Sequence, residues 1–252
     1  MAFYNDNDAS IGAWLQALID AGELPPGLVQ VCDVADANPG DALHCHWFAG
    51  IGGWALALKM IGWPDSTPVW TASLPCQPFS AAGQQKGYSD DRHLWPTFYA
   101  HIKQHLPPIL FGEQTQSELG RHWLAVVQDS LEALDYRTAA ADLCGPLVGA
   151  PHQRQRLYWM AYAPGWGQRS YWKALQRTLG RCNDLGSFWK ESQQYVDAGD
   201  GVKMRPIEPT IQLMANGVPN RVVLSRGAGN AIIPQVAAFF ISSCVDAIAD
   251  SL

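Results

Sequence analysis

The sequence predicts an α/β protein built on a doubly wound, mainly parallel sheet. Three observations carry that expectation. Between residues 42 and 163, short apolar runs alternate with stretches of helical spacing, and strands that alternate with helices pair in parallel. One such run is followed by Phe48-Ala49-Gly50-Ile51-Gly52-Gly53, which opens a helical stretch; glycines there let a nucleotide-like ligand approach the backbone at a helix N-terminus. After Ala163 the composition shifts, and residues 164–202 are rich in Gly, Trp, Gln and charge without sheet alternation. The expected organisation is a first domain over residues 1–163, a small lobe over 164–205, and a C-terminal segment, 206–252, that packs back on the first domain.

The elements follow in order. Residues 11–19 have helical spacing. Residues 43–48 form a short apolar run broken by Gly50, Gly52 and Gly53, and residues 54–61 return to helical spacing. Residues 67–74 read as a strand. Pro75 and Pro78 stop it and stiffen the turn, so Cys76 is held at its carboxyl end. That edge is where α/β sheets bind ligands. Residues 93–105 are helical until Pro107-Pro108, and 109–111 is a short buried strand. Residues 120–136 form an amphipathic helix with Trp123, Val127, Leu131 and Leu134 on one face. Residues 139–144 and 157–163 complete the strands, and 236–248 is an apolar helix.

A chain of 252 residues, 48% hydrophobic, can bury one sizeable core or a core and a small lobe. No apolar run approaches the roughly 20 residues that span a bilayer. Residues 1–8 are polar and acidic, with neither the basic region nor the apolar stretch of a signal peptide. Cysteines 32, 45, 76, 144, 182 and 244 are scattered without a CxxC pair, which suggests a reducing cytoplasm rather than a disulfide framework or zinc site. A cytoplasmic monomer without metal or membrane contact is the expectation. Net charge is −6, but it is unevenly spread. Residues 1–66 hold one basic residue, Lys59, against eight acidic ones, whereas residues 164–205 hold seven basic and four acidic residues. That asymmetry suits a cofactor lobe joined to a lobe facing a polyanion; an ordinary solvated face is the alternative.

Leu74-Pro75-Cys76-Gln77-Pro78-Phe79-Ser80 resembles the nucleophile loop of the DNA cytosine-5 methyltransferases. Phe-Gly-Glu113-Gln114-Thr resembles their Glu-Asn-Val element, with Gln114 where the family usually has Asn. Gln153-Arg154-Gln155-Arg156 resembles their Gln-x-Arg-x-Arg element, with His152 in the usual first-Gln place. The glycine-rich stretch is similar to their S-adenosylmethionine motif, and Gly229-Asn230-Ala231-Ile232-Ile233-Pro234-Gln235 to the last motif, which completes the cofactor pocket. Gly217-Val218-Pro219-Asn220-Arg221 resembles the phage and prophage branch. Taken singly, a lone cysteine reads as a buried inert thiol, a glutamate at a strand end as a surface residue, and the Arg pair as a basic loop. Four motifs at compatible positions are far more specific than any one.

The resemblance implies a class I, Rossmann-like, S-adenosylmethionine-dependent methyltransferase fold with a small target-recognition lobe. It implies methylation of cytosine C5 in double-stranded DNA, with S-adenosylhomocysteine as the spent cofactor. The Cys76 thiolate adds to C6, which makes C5 able to attack a methyl sulfonium. Glu113 protonates or hydrogen-bonds N3, for which a closed apolar pocket must raise its pKa. Arg154 and Arg156 contact the cytosine carbonyl, the thiolate neighbourhood and phosphate. Phe48, Ala49, Gly50, Ile51, Gly52, Gly53, Pro75 and Asn230 line the cofactor. The base must be flipped out, and Gln77, Ser80, Gln84 and residues 81–91 resemble the mobile loop that closes over it, with Gln114 nearby. Arg169, Lys173, Arg177 and Arg181 would contact DNA, while Trp166, Tyr171, Trp172 and Trp189 form the core of the recognition lobe. A restriction-modification or bacteriophage setting is implied. A tRNA cytosine-5 methyltransferase and a catalytically silent DNA-binding relative are the rival readings.

One departure stands out. In most of the family a ribose-binding acid and an adenine-binding Asp lie between the glycine-rich motif and the Pro-Cys motif. Residues 54–74 leave room for one helix and one strand only. Tyr4-Asn5-Asp6-Asn7-Asp8 resembles the ribose motif and Val29-Gln30-Val31-Cys32-Asp33-Val34 the adenine motif. The expectation is a permuted strand order, with the usual second and third strands encoded before the first, Asp6 binding ribose and Asp33 adenine. The alternative is a frayed acidic terminus and a turn aspartate.

Overall fold

The computed structural model describes residues 1–75, 94–150, 153–180, 195–197, 204–206 and 231–251. A seven-stranded sheet is formed by β1 (Ala2–Asp6), β2 (Gly27–Val31), β3 (His44–Trp47), β4 (Val69–Ala72), β5 (Ile109–Thr115), β6 (Arg137–Cys144) and β7 (Gln155–Tyr162). Its order is β2-β1-β3-β4-β5-β7-β6. Strands β1 to β5 are mutually parallel, and β7 runs antiparallel to both β5 and β6. The helices are α1 (Ala9–Asp20), α2 (Gly53–Met60), α3 (Trp95–His105), α4 (Glu118–Glu132), α5 (Arg169–Thr178) and α6 (Pro234–Ser251). A separate antiparallel pair joins β8 (Tyr195–Asp197) to β9 (Met204–Pro206).

The usual doubly wound order is 3-2-1-4-5, with the glycine-turn strand first in the chain. Here that strand, β3, comes third, and β1 and β2 fill the two places beyond it. The strand order is therefore permuted in the sense the sequence predicts. The chain's opening residues are not a polar terminus: Phe3 and Tyr4 are fully buried, because β1 lies inside the sheet between β2 and β3.

Pleat alternation sends successive side chains to opposite faces of the sheet. One face, with Val69, Ile109, Phe111, Tyr158 and Met160, packs under α2, α5 and α6. The other, with Phe3, Trp47, Trp70, Leu110 and Trp159, packs under α3 and α4. Both clusters are rich in aromatic rings; Trp47 touches Phe3, Trp70 and Phe98 at centroid distances of 5.2, 5.1 and 5.6 Å.

Local chemistry sets the ends of the elements. Asp8 caps α1 through the Ser10 N–H at 2.8 Å, and Ser117 caps α4 through the Gly120 N–H at 3.0 Å. Helix α4 stops short of the predicted residue 136 because Asp135 turns left-handed at φ 63°. Strand β5 runs four residues beyond the predicted 109–111, because its pairing with β7 continues to Thr115↔Arg156 and carries Glu113 and Gln114 inside the ladder.

Residues 169–178 depart from the expected separate lobe. They form α5, whose Trp172 and Leu175 are buried in the same core as α6, Ile109 and Met160. The apolar face of α5 thus serves the main core, and the recognition-lobe expectation falls on the residues after it. No helix among the described residues is long and apolar enough to cross a membrane.

Candidate active site

The glycine-rich turn sits at the carboxyl end of β3. Phe48 takes a left-handed φ of 50°, Gly50 one of 52° and Gly52 one of 87°. Such a conformation is uncommon for a non-glycine residue and marks a backbone held by its surroundings. The Phe48 ring is half-buried and meets Phe98 edge-on at 6.1 Å. A Cβ on Gly52 would come within 2.6 Å of Leu24, and one on Gly53 within 2.7 Å of Ile232. The second contact shows that the segment leading into α6 folds back onto the first residue of α2. At Gly50 a Cβ would meet nothing nearer than 4.0 Å, so the turn leaves an open cradle.

Asp6, at the carboxyl end of β1, reaches that cradle. Its Oδ2 accepts from the Gly50 N–H at 3.0 Å and its Oδ1 from the Asp8 N–H at 3.1 Å. Burial raises its pKa above the usual carboxylate range, against the pull of these backbone bonds. Asp33 is exposed just beyond the end of β2, and its carboxylate accepts from the Ala35 N–H at 2.9 Å. Asn5, buried beside Asp6, donates to the Cys32 carbonyl at 3.1 Å and so fixes the approach to Asp33. Two carboxylates at the ends of adjacent parallel strands, beside an open glycine cradle, match the hydroxyl and amino groups of an adenosyl ligand. The residues present fit S-adenosylmethionine.

The second cluster lies along β5 and β7. Glu113 is buried, with its Oε1 2.8 Å from Arg156 Nε. Arg156 also donates to its neighbour's carbonyl, Gln155 O, at 2.7 Å. Burial drives the Glu113 pKa up, and the charges of Arg156 and then Arg154 pull against it without reversing the direction. Arg154 is half-buried, and desolvation followed by the like charge of Arg156 lowers its pKa. Tyr158 stands opposite Glu113 in the β5–β7 register, and burial raises its hydroxyl pKa. Gln114 points to the opposite face of the sheet from Glu113. Its Oε1 accepts from the Thr115 N–H at 2.8 Å, and its buried Nε2 has no hydrogen-bond partner among the described residues.

Strand β4 leads into the Pro-Cys loop beside this cluster. Ala72 pairs with Gly112, so Ser73 and Glu113 are the next residues along adjacent strands. Pro75 is exposed at the loop's start. Cys76, Gln77, Ser80, Gln84, His152, Arg181, Trp189, Asn230 and residues 217–221 lie outside the described residues. Of the expected DNA contacts, Arg169 and Arg177 are exposed on α5, whereas Lys173 is engaged with Asp250 at 2.5 Å and Gln176 at 3.2 Å. Lys173 thereby becomes a tie between α5 and α6.

Sequence reasoning missed Trp54, Ser73 and Tyr158. The indole of Trp54 donates to Ser73 Oγ at 2.9 Å, and its ring lies 6.4 Å from Phe111 and 6.0 Å from Tyr158. The signal was a tryptophan directly after the glycine turn and a hydroxyl two residues before Pro75.

Residues 63–179 match the family model described as C-5 cytosine-specific DNA methylase. The Type II methyltransferase M.AplI of Arthrospira platensis is 29% identical over 155 residues, 47% of this chain and 45% of the relative. The Type II methyltransferase M.HhaI of Haemophilus parahaemolyticus is 32% identical over 95 residues, 36% of this chain and 29% of the relative. The chain thus spans less than half the length of the curated relatives it matches. Among solved structures, the S. pombe Dnmt2 methyltransferase aligns with a TM-score of 0.49 at 12% identity, covering 98% of both chains. The family match thus covers residues 63–179 of the chain, and both of these relatives are Type II methyltransferases.

Proposed function

We propose that this protein methylates C5 of a flipped-out cytosine in DNA, with S-adenosylmethionine as donor and Cys76 as the nucleophile at C6. The observation that carries the reading is the buried Glu113–Arg156 pair at the end of β5, beside the strand that delivers the Pro-Cys loop. Cytosine C5 is a poor nucleophile until a thiolate adds to C6. The developing negative charge on the ring needs a proton or a strong hydrogen bond at N3. Glu113 supplies that group: burial favours its protonated form, and the guanidinium of Arg156 holds the carboxyl in one orientation. Arg154 and Arg156 are suited to the cytosine carbonyl and to phosphate.

The cofactor would be held by residues 48–53, with Asp6 at the ribose and Asp33 at the adenine amino group. When bound, it supplies the activated methyl group. Asp6 has a second task, since its bond to the Gly50 N–H sets the shape of the turn before any ligand arrives. The segment at Ile232 backs the turn at Gly53. Target reading falls to the residues after α5, with Arg181 among them, and to the exposed Arg169 and Arg177.

The test is incubation with labelled S-adenosylmethionine and either random-sequence duplex DNA or tRNA, followed by base-resolution readout. The expected outcome is label at cytosine C5 in DNA, together with a covalent adduct on 5-fluorocytosine DNA that disappears in Cys76→Ala. Label in tRNA alone would transfer the same chemistry to another substrate. No adduct with either nucleic acid would overturn the reading.

A further inference from the structure

Resting on this reading, we propose that His101 is a positioning residue for the adenine end of the cofactor, holding the Asp33 carboxylate in place through a single peptide unit. His101 lies on α3, and its Nε2 is 2.7 Å from the Val34 carbonyl oxygen in the turn after β2. A carbonyl can only accept, so Nε2 carries the hydrogen. The other end of the same peptide is the Ala35 N–H, which donates to Asp33 Oδ1 at 2.9 Å. The peptide is trans and planar, with its C=O and N–H directed to opposite sides. The His101 ring therefore grips one edge of the Val34–Ala35 plane, and the opposite edge holds the Asp33 carboxylate. Hydrogen bonds in such a chain polarise one another and strengthen together.

The remaining anchors of the turn confine this effect to the carboxylate. The Val34 side chain is buried in the core with Trp47 and Phe98, and Asn5 donates to the Cys32 carbonyl at 3.1 Å. These hold the path of the chain beyond β2 whether or not His101 bonds. They do not fix the rotation of the Val34–Ala35 plane. The other bond to that carbonyl, from the Ala37 N–H, is long at 3.4 Å, so the His101 donor dominates the orientation of the plane. The His101 ring is itself braced 4.7 Å from Trp47, the last residue of β3 before the glycine turn. Asp33 is exposed, and with Oδ1 engaged by Ala35 its carboxylate keeps the capacity of Oδ2 to accept from an adenine amino group. A rotated peptide turns that acceptor away and weakens the contact to the amino group, while Asp6 and the glycine turn keep their bond at Gly50.

The experiment measures base selectivity by calorimetry. It takes the ratio of affinities for S-adenosylhomocysteine and S-inosylhomocysteine, whose purine carries an oxo group in place of the amino group. In the wild type the ratio is about thirtyfold, the size that a hydrogen bond to a charged group supports. His101→Phe keeps a ring against Trp47 and loses the donor. Its ratio falls below about fivefold, because S-adenosylhomocysteine binds more weakly while S-inosylhomocysteine stays within about twofold. His101→Gln, whose amide nitrogen reaches as far as Nε2, restores the ratio to within about threefold of wild type. His101→Asn, shorter by a methylene, does not, and this pair of variants carries the test if His101→Phe fails to fold. Asp33→Ala abolishes the ratio, and adding His101→Phe to it changes nothing further. A wild-type ratio in His101→Phe and His101→Asn, or equal weakening of both ligands, overturns the positioning role. Asp33→Ala with its preference intact is a separate outcome, which overturns the adenine role of Asp33 and the inference with it. A wild type that binds neither ligand overturns the proposed cofactor as well.

Discussion

At the scale of single residues, the site's electrostatics turn on Glu113. Its carboxyl is pushed up by burial and pulled back by Arg156 and Arg154. A group that must offer a proton loses activity as pH rises through its pKa. Removing the Arg156 charge removes the larger of the two lowering influences, so Arg156→Gln moves the alkaline limb of the kcat/KM profile to higher pH while lowering its maximum. An unmoved limb would mean that Glu113 is not the titrating group. Asp33 carries a second prediction: Asp33→Ala weakens S-adenosylmethionine binding by about 1–3 kcal/mol through the loss of a charge-assisted bond, and unchanged calorimetric affinity would sink that assignment. The proposed roles of Glu113 and Arg156 come from the sequence, where both sit in short patterns. The 2.8 Å pair between them does not, since it depends on an antiparallel register between strands more than 40 residues apart. Trp54 and Ser73 were illegible for a similar reason: an indole donor names its acceptor only once the sheet is folded.

At the scale of elements, strand β5 shows how tightly the site is built. Gly112 precedes Glu113, and a Cβ there would fall within the ring of Trp159 on the neighbouring β7. Gly112→Ala therefore costs about 1–3 kcal/mol of stability through overpacking, read as a lower midpoint in chemical denaturation; an unchanged midpoint would show that the Trp159 ring yields freely. Helix α5 teaches the opposite lesson about sequence. Its basic residues stand out in the linear chain and suggest a polyanion-facing lobe. Its ten residues carry only Trp172 and Leu175 as buried anchors, too short a pattern to announce membership of the main core. Docked on α6, the helix uses Lys173 for Asp250 and Gln176 for Asp246. A surface pair of this kind contributes little to stability, so Lys173→Ala leaves the melting midpoint and DNA affinity nearly unchanged, whereas Arg177→Ala lowers DNA affinity in a salt-dependent manner in binding titrations.

At the scale of the whole molecule, the permuted sheet is a rearrangement of chain order and not of architecture. The sequence made this visible by what it lacked, since residues 54–74 have no room for two acidic motifs. It could not say whether the displaced strands returned to their usual places, which only the β2-β1-β3 order answers. The Leu43 carbonyl accepts from the Val69 N–H at 2.8 Å, so the entrances to β3 and β4 are adjacent. A chain re-ordered as residues 44–63, 1–43 and 67–252, with short Gly/Ser linkers at the joins, is therefore expected to fold with a similar melting profile and to bind cofactor; aggregation or a non-cooperative melt would show that the native order is required. The order also sets a timetable. A ribosome releases β1, α1 and β2 before β3 exists, and Ala2 can pair with Gly27 while His44 is still to come. Pairings close in sequence form soonest. The two acids are thus the older half of the proposed cofactor site, and the glycine turn, made later, docks against a carboxylate that is already waiting for the Gly50 N–H.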